Sequence, residues 1–492
     1  MLKFSVALFY VGCYFALWQL IGLQSFGRED LYQVTGINGH KNLYSSFMFL
    51  NLFFLLLAFS KLKKLWKYLS AVAIVLTLLL FGLLMTKAVL LALVISAGAF
   101  VLLYLPGKYP LSQLSGKKAT ITSIGIVVIV VSLFLLLIPS VINTSISKLK
   151  AAGDNVPTSV KLEQERLILW DKTYTIFHKK PMLGHGAGNW QVNLPDATLT
   201  GLWRGEDLNY TFQRPHNDFL WVLSENGILG FIFFIGFLIL ILFFLYRTLP
   251  RFASRKLKFE PALCLSFIVG YCCISFFDFP RERIEHVVWF SIILAIGYDR
   301  IKLEEVIQSY RQVTLSSFFT YVLLFISLYF IYVGVLRLKG EFYTRKMFDD
   351  KNRGILSEVI KHGKQAESFA YTLDPTSVPI AWYTGNAEAM SGNYMKALQD
   401  FKKALHFNPY NRNVLNDLGS AYVFENDVIG AKMCYEESAR ISPRFDDPKL
   451  NLASIYINAG DYKTADSWLK SILHDSERRS HYQKMVDLAL HK

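Results

Sequence analysis

Long apolar runs place the strongest constraint on what this chain can fold into. A run of roughly 18 or more apolar residues is typical of a helix that crosses the bilayer core. The 492-residue sequence contains nine candidates, of which the second, fourth, seventh and eighth are short or weakly bounded: 4–23, 43–59, 66–85, 89–105, 121–139, 228–246, 261–277, 286–298 and 318–335. The first run is followed by polar residues and lacks a clear small-residue cleavage site. We therefore expect it to be retained as an anchor. The sequence therefore predicts an all-α, polytopic membrane protein with about nine spans.

The distribution of charge gives the orientation of these spans. The net charge is +14, which could suggest a nucleic-acid partner, but the basic residues gather in short loops between apolar runs. Such loops face the cytoplasm. The cytoplasmic set is Lys61, Lys63, Lys64, Lys67, Lys108, Lys117, Lys118, Arg247, Arg251, Arg255, Lys256, Lys258, Arg300, Lys302 and Arg311. Membrane topology thus accounts for the charge without nucleic acid, and it places 140–215 and everything after Val335 outside the cytoplasm.

A 34-residue repeat occupies the C-terminal part of the chain. Prolines recur at 375, 409 and 443, small residues at 385, 419 and 453, alanines at 397, 431 and 465, and large residues at 401, 435 and 469. This period is typical of tetratricopeptide repeats, in which small residues allow two helices to approach closely. We expect between two and a half and three repeats over 376–481, preceded by a capping helix over 339–373.

Four regions follow from the apolar runs and the repeats. They are N-terminal transmembrane helices (1–139), an extracytoplasmic loop domain (140–215), C-terminal transmembrane helices (216–337) and an extracytoplasmic tetratricopeptide α-solenoid (338–492). Such a solenoid usually presents a binding surface, so an envelope protein is one candidate partner.

The long loop contains one clear helical pattern. Apolar residues at 167, 170, 174 and 177 follow the spacing of an amphipathic helix, which Pro181 ends. Gly184, Gly186 and Gly188 come next. They resemble a phosphate-binding loop, but they follow a helix and not a strand, so we favour a sharp glycine turn.

Titratable residues precede the apolar run 228–246. A short helix over 217–226 would align Asp218 with Glu225, and His216 could meet Glu225 only from the preceding turn. Histidine beside a carboxylate suits general-base chemistry, since its ordinary pKa lies near neutrality. The alternative is helix capping, in which Asn217 or Asp218 caps the helix and His216 is a polar interface residue.

Several basic residues are predicted on the same side of the membrane. They are Lys87, Arg166, Arg204, Arg214, Arg281 and Arg283. Arginine binds phosphate with two parallel hydrogen bonds. A lipid-linked phosphate or diphosphate is therefore a candidate ligand, although each charge alone could simply be solvated or anchored among headgroups.

Five stretches, in order, resemble the O-antigen ligase family, whose relatives include O-antigen polymerases and bacterial O-oligosaccharyltransferases. They are TGINGHKNLYSSF, LLMTKAVLLAL, ERLILWDKTYTIFHKKPMLGHGAGNW, RPHNDFLWVLSENGILGF and FFDFPRER. The resemblance covers 34–298 and implies a glycosyltransferase-C-like fold. It also implies transfer of a glycan from undecaprenyl diphosphate to an acceptor hydroxyl at the outer face of the bacterial cytoplasmic membrane, without a metal or cofactor.

The resemblance assigns roles to individual residues. It implies that His216 is the catalytic base, that Glu225 supports it and that Arg166 holds the diphosphate. Lys87 stands where the family usually has arginine, which keeps the charge but loses the bidentate contact. Fewer spans precede the first motif than is usual, which indicates either a truncated start or a minimal branch.

Three interpretations of the function stay open. O-antigen ligase, acting on lipid A core or a similar acceptor, is the first; polymerisation of repeat units or glycosylation of protein would use the same residues. A non-catalytic membrane scaffold that recruits partners through its repeats belongs to another class. The clustering of charge at one face favours surface chemistry over transport.

Overall fold

The computed structural model describes residues 1–23, 30–104, 158–208, 210–249, 255–303 and 317–490. These residues form helices joined by turns, and within the described ranges the β-structure consists of two isolated bridges, Ser368 with Tyr371 and Leu373 with Pro379. The predicted all-α class is confirmed.

Helices long and apolar enough to cross a membrane dominate the first part of the chain. Among the described residues there are seven, and the chain is a multi-pass membrane protein. They are α1 (Leu2–Ile21), α2 (Lys41–Lys61), α3 (Leu65–Leu84), α4 (Lys87–Tyr104), α8 (Asp218–Thr248), α9 (Arg255–Phe277, apolar from Leu257) and α11 (Ser317–Arg353). The predicted run 286–298 lies in α10 (Ile284–Leu303), which is not one of the seven, and the run 121–139 lies outside the described residues.

The chain divides into two compact units. The first comprises residues 1–140 and 216–312, and the second comprises 141–215 and 313–492.

The core of the first unit is built around α2, which is buried on nearly every face. Aromatic rings fill this core, with Phe49 against Phe267 at 4.9 Å and Phe54 against Trp289 at 4.4 Å between ring centroids. A Cβ atom added to Gly270 would lie only 2.4 Å from the ring of Phe49. Close packing of helices through a small residue is a general feature of membrane bundles, and here it joins α9 to α2.

The loop part of the second unit is organised around α5 (Thr158–Lys179), which confirms the predicted amphipathic helix. Two short helices follow, α6 (Trp190–Asn193) and α7 (Trp203–Asp207), with a 3-10 turn at Leu194–Ala197. The indole of Trp190 is buried and donates to Thr173 Oγ1 at 3.0 Å. The loop is therefore a small folded body packed on one face of α5.

The C-terminal part of the second unit is a stack of antiparallel helical hairpins. Its helices are α12 (Leu356–Ala366), α13 (Ile380–Met390), α14 (Tyr394–Phe407), α15 (Arg412–Phe424), α16 (Val428–Ile441), α17 (Asp447–Asn458), α18 (Tyr462–Lys470) and α19 (Glu477–Leu490). A Cβ atom on Gly385 would lie 2.8 Å from the ring of Phe401, and one on Gly419 would lie 2.7 Å from that of Tyr435. The small and large repeat positions thus face each other within each hairpin, as the 34-residue period predicts.

The entry into the repeats differs from the prediction. We expected one capping helix over 339–373, but α11 runs from the apolar segment to Arg353 and α12 ends at Ala366. Gly354 breaks the helix with a left-handed φ of +73°. Farther on, the Asp374 carboxylate accepts hydrogen bonds from the backbone N–H groups of Thr376 and Val378, which stabilises a turn in place of helix.

Candidate functional site

The start of α8 is fixed by two backbone features. His216 has a left-handed φ of +55°, and Asn217 Oδ1 accepts a hydrogen bond from the Leu220 N–H at 3.0 Å, so Asn217 is the N-cap. Gly227 interrupts the helix with φ +64° and ψ −169°, a conformation essentially confined to glycine. Residues 218–226 therefore form a short helix ahead of the apolar run. Asn217 is therefore the residue that caps this helix, as the capping alternative allows.

His216 lies beside an acidic residue of the turn that follows α9. Its Nδ1 is 3.9 Å from Asp278 Oδ1, and its ring packs edge-on against Phe279 with a centroid distance of 5.0 Å. Asp278 is mostly buried, and its Oδ1 also accepts from the Phe279 N–H at 3.0 Å. The distance to His216 is too long for a direct hydrogen bond but short enough for a charge interaction when the imidazole is protonated. Asp278 was missed in the sequence, although it stands in the FFDFPRER stretch that carries Arg281.

A second charged pair joins the start of α8 to the turn that follows α9. Asp218 is fully buried, accepts from the Arg281 backbone N–H at 3.1 Å and lies 3.7 Å from the Arg281 Nε. The Arg281 guanidinium also covers the ring of Trp221 at 5.1 Å. About a third of the Arg281 side chain stays exposed. Asp218 thus holds Arg281 in place without burying its whole side chain.

Glu225 follows Asp218 by two helical turns. It is buried, with 3% exposure, and lies just before the break at Gly227. The predicted stripe of Asp218 and Glu225 on one short helix is present in the fold.

Polar contacts join two distant sequence stretches at this end of the first unit. Ser46 Oγ lies 2.7 Å from Nε2 of the fully buried His286, and Asn38 Nδ2 donates to Glu285 Oε1 at 2.9 Å. These contacts connect the start of α2 with the start of α10. Since α10 begins directly after the turn that holds Asp278 and Arg281, the two stretches share one end of the bundle.

Lys87 belongs to the same end. It is the exposed first residue of α4, and the neighbouring Thr86 Oγ1 donates to Ser45 Oγ on α2 at 3.0 Å. The first unit therefore collects His216, Asp278, Arg281 and Lys87 at one end of its helices.

The second unit carries the other predicted residues. Arg166 is half-buried on α5, one residue after Glu165, whose carboxylate bonds Arg204 Nε at 2.5 Å. Trp170, one turn later on α5, donates its Nε1 hydrogen to the Pro215 carbonyl at 2.9 Å. The half-buried Arg214 precedes Pro215. The helix with Arg166 is therefore tied to the residue directly before His216 in the chain.

The three loop glycines form a turn. Gly184, Gly186 and Gly188 have φ values of +70°, +92° and +80°, which favour glycine because they lie in the left-handed half of backbone space. The His185 ring bonds the Ile176 carbonyl at 2.9 Å and holds this turn against α5.

Among the described residues, one group could supply three ligands to a metal ion: Asp350, Glu358 and His362. His362 Nδ1 is already 2.6 Å from Asp350 Oδ2, and Lys361 donates to Glu358 at 2.9 Å. These contacts explain the group as a polar crosslink between α11 and α12.

Comparison with known proteins finds one family match. Residues 72–235, one third of the chain, match the family model described as O-Antigen ligase, so the chain carries a domain of this family. The matched segment contains every predicted site residue except Arg281 and the basic residue Arg283. No curated protein is significantly similar to the chain.

Two of the similar solved structures are titled "Crystal structure of MamA protein" and "MamA MSR-1 C2". They are 16% and 18% identical in sequence to this chain, each covers 31% of it, and the matches span 81% and 86% of those chains. Both have a TM-score of 0.27.

Proposed function

We propose that this multi-pass membrane protein, which carries an O-antigen ligase domain, moves a glycan from undecaprenyl diphosphate to an acceptor hydroxyl. The family match supports a glycosyltransferase-like function in O-antigen processing. The proposal adds the identity of the donor, the acceptor and the residues that act on them.

One observation carries the proposal, namely the surroundings of His216. Asn217 supplies the helix cap, as the capping alternative expects, so the contacts of the His216 ring distinguish the two interpretations. That ring instead lies 3.9 Å from Asp278 and keeps about 29% of its side chain exposed. A histidine held beside a carboxylate and open to solvent is suited to accept a proton from a substrate.

In the proposed reaction, His216 takes the proton of the acceptor hydroxyl as its oxygen attacks the anomeric carbon of the donor sugar. The bond between that carbon and the diphosphate oxygen breaks, and the electron pair leaves with the diphosphate. Asp278 stabilises the imidazolium that forms and orients the ring, so it is a positioning residue. Diphosphate is a good leaving group, so no general acid is required, and in-line displacement predicts inversion at the anomeric carbon.

The charge of the departing diphosphate would be offset by Arg166, Lys87 and Arg281, with Arg214 as a further contact. Charge contacts of this kind strengthen where water is excluded, as at a membrane boundary. Arg281 is supported in this role by Asp218 and Trp221, which fix its backbone and its guanidinium. Glu225, Asn217 and the loop glycines would shape the site without contacting the reacting atoms.

We further propose that this end of the helices faces the outer side of the cytoplasmic membrane. The positive-inside pattern supports that orientation. The first acceptor to test is lipid A core or a similar lipid-linked glycan. A second glycan repeat unit and a protein hydroxyl are the alternatives, because all three acceptors would use the same residues.

Transfer by the purified protein tests the proposal. The full chain in detergent is incubated with a lipid-diphosphate-linked oligosaccharide and a panel of lipid, glycan and protein acceptors, with and without a metal chelator. We expect transfer to one acceptor class that persists in chelator and yields the inverted anomer. A product that keeps the donor configuration would contradict direct displacement, and no transfer to any acceptor from folded protein would favour the scaffold.

A further inference from the structure

The repeat array contacts the loop of its own chain along one edge. This edge consists of the turns that lead from the second helix of one repeat into the first helix of the next, at residues 408–412 and 441–445; we call it the docking edge. The loop segment that contacts it is residues 194–208, here the docked segment. In the centre, the Leu199 N–H donates to the Ile441 carbonyl at 2.7 Å, and both side chains are buried.

Arg412 joins the two sides through a buried guanidinium. Its Nη1 donates to the Glu206 carbonyl at 3.3 Å and to Ser442 Oγ at 2.5 Å, and the group covers the ring of Phe445 at 4.8 Å. Only 8% of Arg412 is exposed. A buried cation bonded to backbone and side chain on both sides of a contact is costly to displace, because its partners would lose those bonds.

Exposed ion pairs frame the contact. Arg444 Nε lies 2.6 Å from Asp207 Oδ1, and Arg440 Nη2 lies 3.6 Å from Asp196 Oδ1. Lys179, at the end of α5, shares Asp196 at 2.5 Å. The docked segment therefore contacts the repeats through pairs of opposite charges as well as through a backbone hydrogen bond.

The docked segment is in turn bonded to the helix that carries Arg166. Arg204 donates from its backbone N–H and from its Nε to the Glu165 carboxylate, at 3.2 and 2.5 Å. Lys172 Nζ donates to the Ala197 carbonyl at 3.1 Å. A continuous set of contacts thus runs from the docking edge through residues 194–208 to α5.

We propose that the repeat array is an internal clamp that positions the loop for catalysis, and that Arg412 is its central positioning residue. This inference rests on the proposed function, because it assigns the clamp to Arg166 and the donor diphosphate. It also changes the role expected of the repeats from binding a partner to holding the loop, because the docking edge is occupied by the chain's own loop. Loss of the array should therefore lower transfer to every acceptor, small or bulky.

Charge reversal with rescue tests the clamp in the full-length protein. Asp207→Arg sets two positive groups against each other, and Arg444→Asp in the same chain restores an opposite pair. Lys470→Glu is the matched control, since Lys470 forms a similarly exposed ion pair with Asp466 at 2.5 Å within α18, away from the loop. Arg412→Met is the stronger variant, checked for helicity and for its melting temperature.

Two measurements are made on each protein: amide hydrogen exchange of peptides from 194–208, and transfer rate at varied donor concentration. For Asp207→Arg we expect roughly two- to fivefold faster exchange and a two- to fivefold higher KM for the donor, recovery in the double variant, and no change in Lys470→Glu. For Arg412→Met we expect at least about tenfold faster exchange in this segment.

Unchanged exchange in Asp207→Arg and Arg412→Met would overturn the clamp. Faster exchange with unchanged donor KM would overturn its role in positioning. If the wild-type protein transfers no glycan, the proposed function fails together with the positioning role, and the exchange data alone then decide whether the repeats hold the loop.

Discussion

Replacing Asp278 with asparagine should slow transfer strongly without disturbing the fold. The asparagine side chain would keep the size of the aspartate and an oxygen that can accept the Phe279 N–H, but it would remove the negative charge beside His216. When His216 accepts the proton and becomes positively charged, that charge would lose the carboxylate that lies 3.9 Å away.

The separation of the two groups sets the size of the effect. At 3.9 Å, two unit charges attract by about 1 kcal/mol in water and by about 4 kcal/mol at an effective dielectric constant of about 20. The side chains of His216 and Asp278 are 29% and 11% exposed, so the environment lies between these limits. A loss of about 2–3 kcal/mol corresponds to a fall in kcat of about 30- to 150-fold.

The assay is steady-state transfer from a lipid-diphosphate-linked oligosaccharide, with melting temperature measured in parallel. Asp299→Asn is the control, because Asp299 is an exposed carboxylate in the last part of α10; we expect it to change kcat by less than about twofold. If Asp278→Asn keeps kcat within about threefold of wild type while His216→Ala abolishes transfer, a charge interaction of this size is absent and the pairing of His216 with Asp278 is wrong.

Three further predictions concern the backbone, the repeats and pH. Gly227→Ala should lower stability by about 1–3 kcal/mol, because φ +64° and ψ −169° are hardly accessible to alanine. Gly236→Ala, on the same helix with open space around it, should melt no lower than wild type. Gly419→Ala should cost about 1–2 kcal/mol through contact with Tyr435, less the gain in helix propensity; the double variant with Tyr435→Leu, which copies the Ala453 and Leu469 pair of the next repeat, should recover part of the loss in a thermal melt. Burial raises the pKa of Glu206 above its ordinary 4.5, so the folded loop binds more protons than the unfolded chain, and its stability should fall as pH rises from about 4.5 through the folded pKa. Glu206→Gln should flatten this dependence in hydrogen exchange of residues 194–208, and an unaltered pH profile would contradict the assignment.

Regular features of the fold could be predicted from the sequence because their causes are local. Apolar runs indicated the membrane helices, and the 34-residue period placed Gly385 and Gly419 opposite large residues. The amphipathic spacing over 167–177 predicted α5. Periodicity does not predict where an individual residue ends a helix. The helix expected over 339–373 stops early because of Gly354 and the Asp374 turn.

The environment of His216 depends on contacts between distant parts of the chain. Asp278 lies 62 positions after His216 and Glu285 lies 247 after Asn38, and no local pattern indicates such pairs. The docking of residues 194–208 on the repeats has the same origin, since Arg412 and Glu206 are separated by 206 positions. The sequence indicated a short helix beside His216 and left capping as an alternative; only the fold shows that Asn217 is the cap.

Whether His216 accepts the proton is tested by comparing wild-type protein with His216→Ala and with His481→Ala in the same transfer assay. His481 is the control histidine, since it is exposed on α19 and has no role in the proposed reaction. We expect His216→Ala to fold, to melt like wild type and to transfer no glycan, whereas His481→Ala stays active. Transfer by His216→Ala at the wild-type rate would show that the proton is accepted elsewhere and would contradict the central claim.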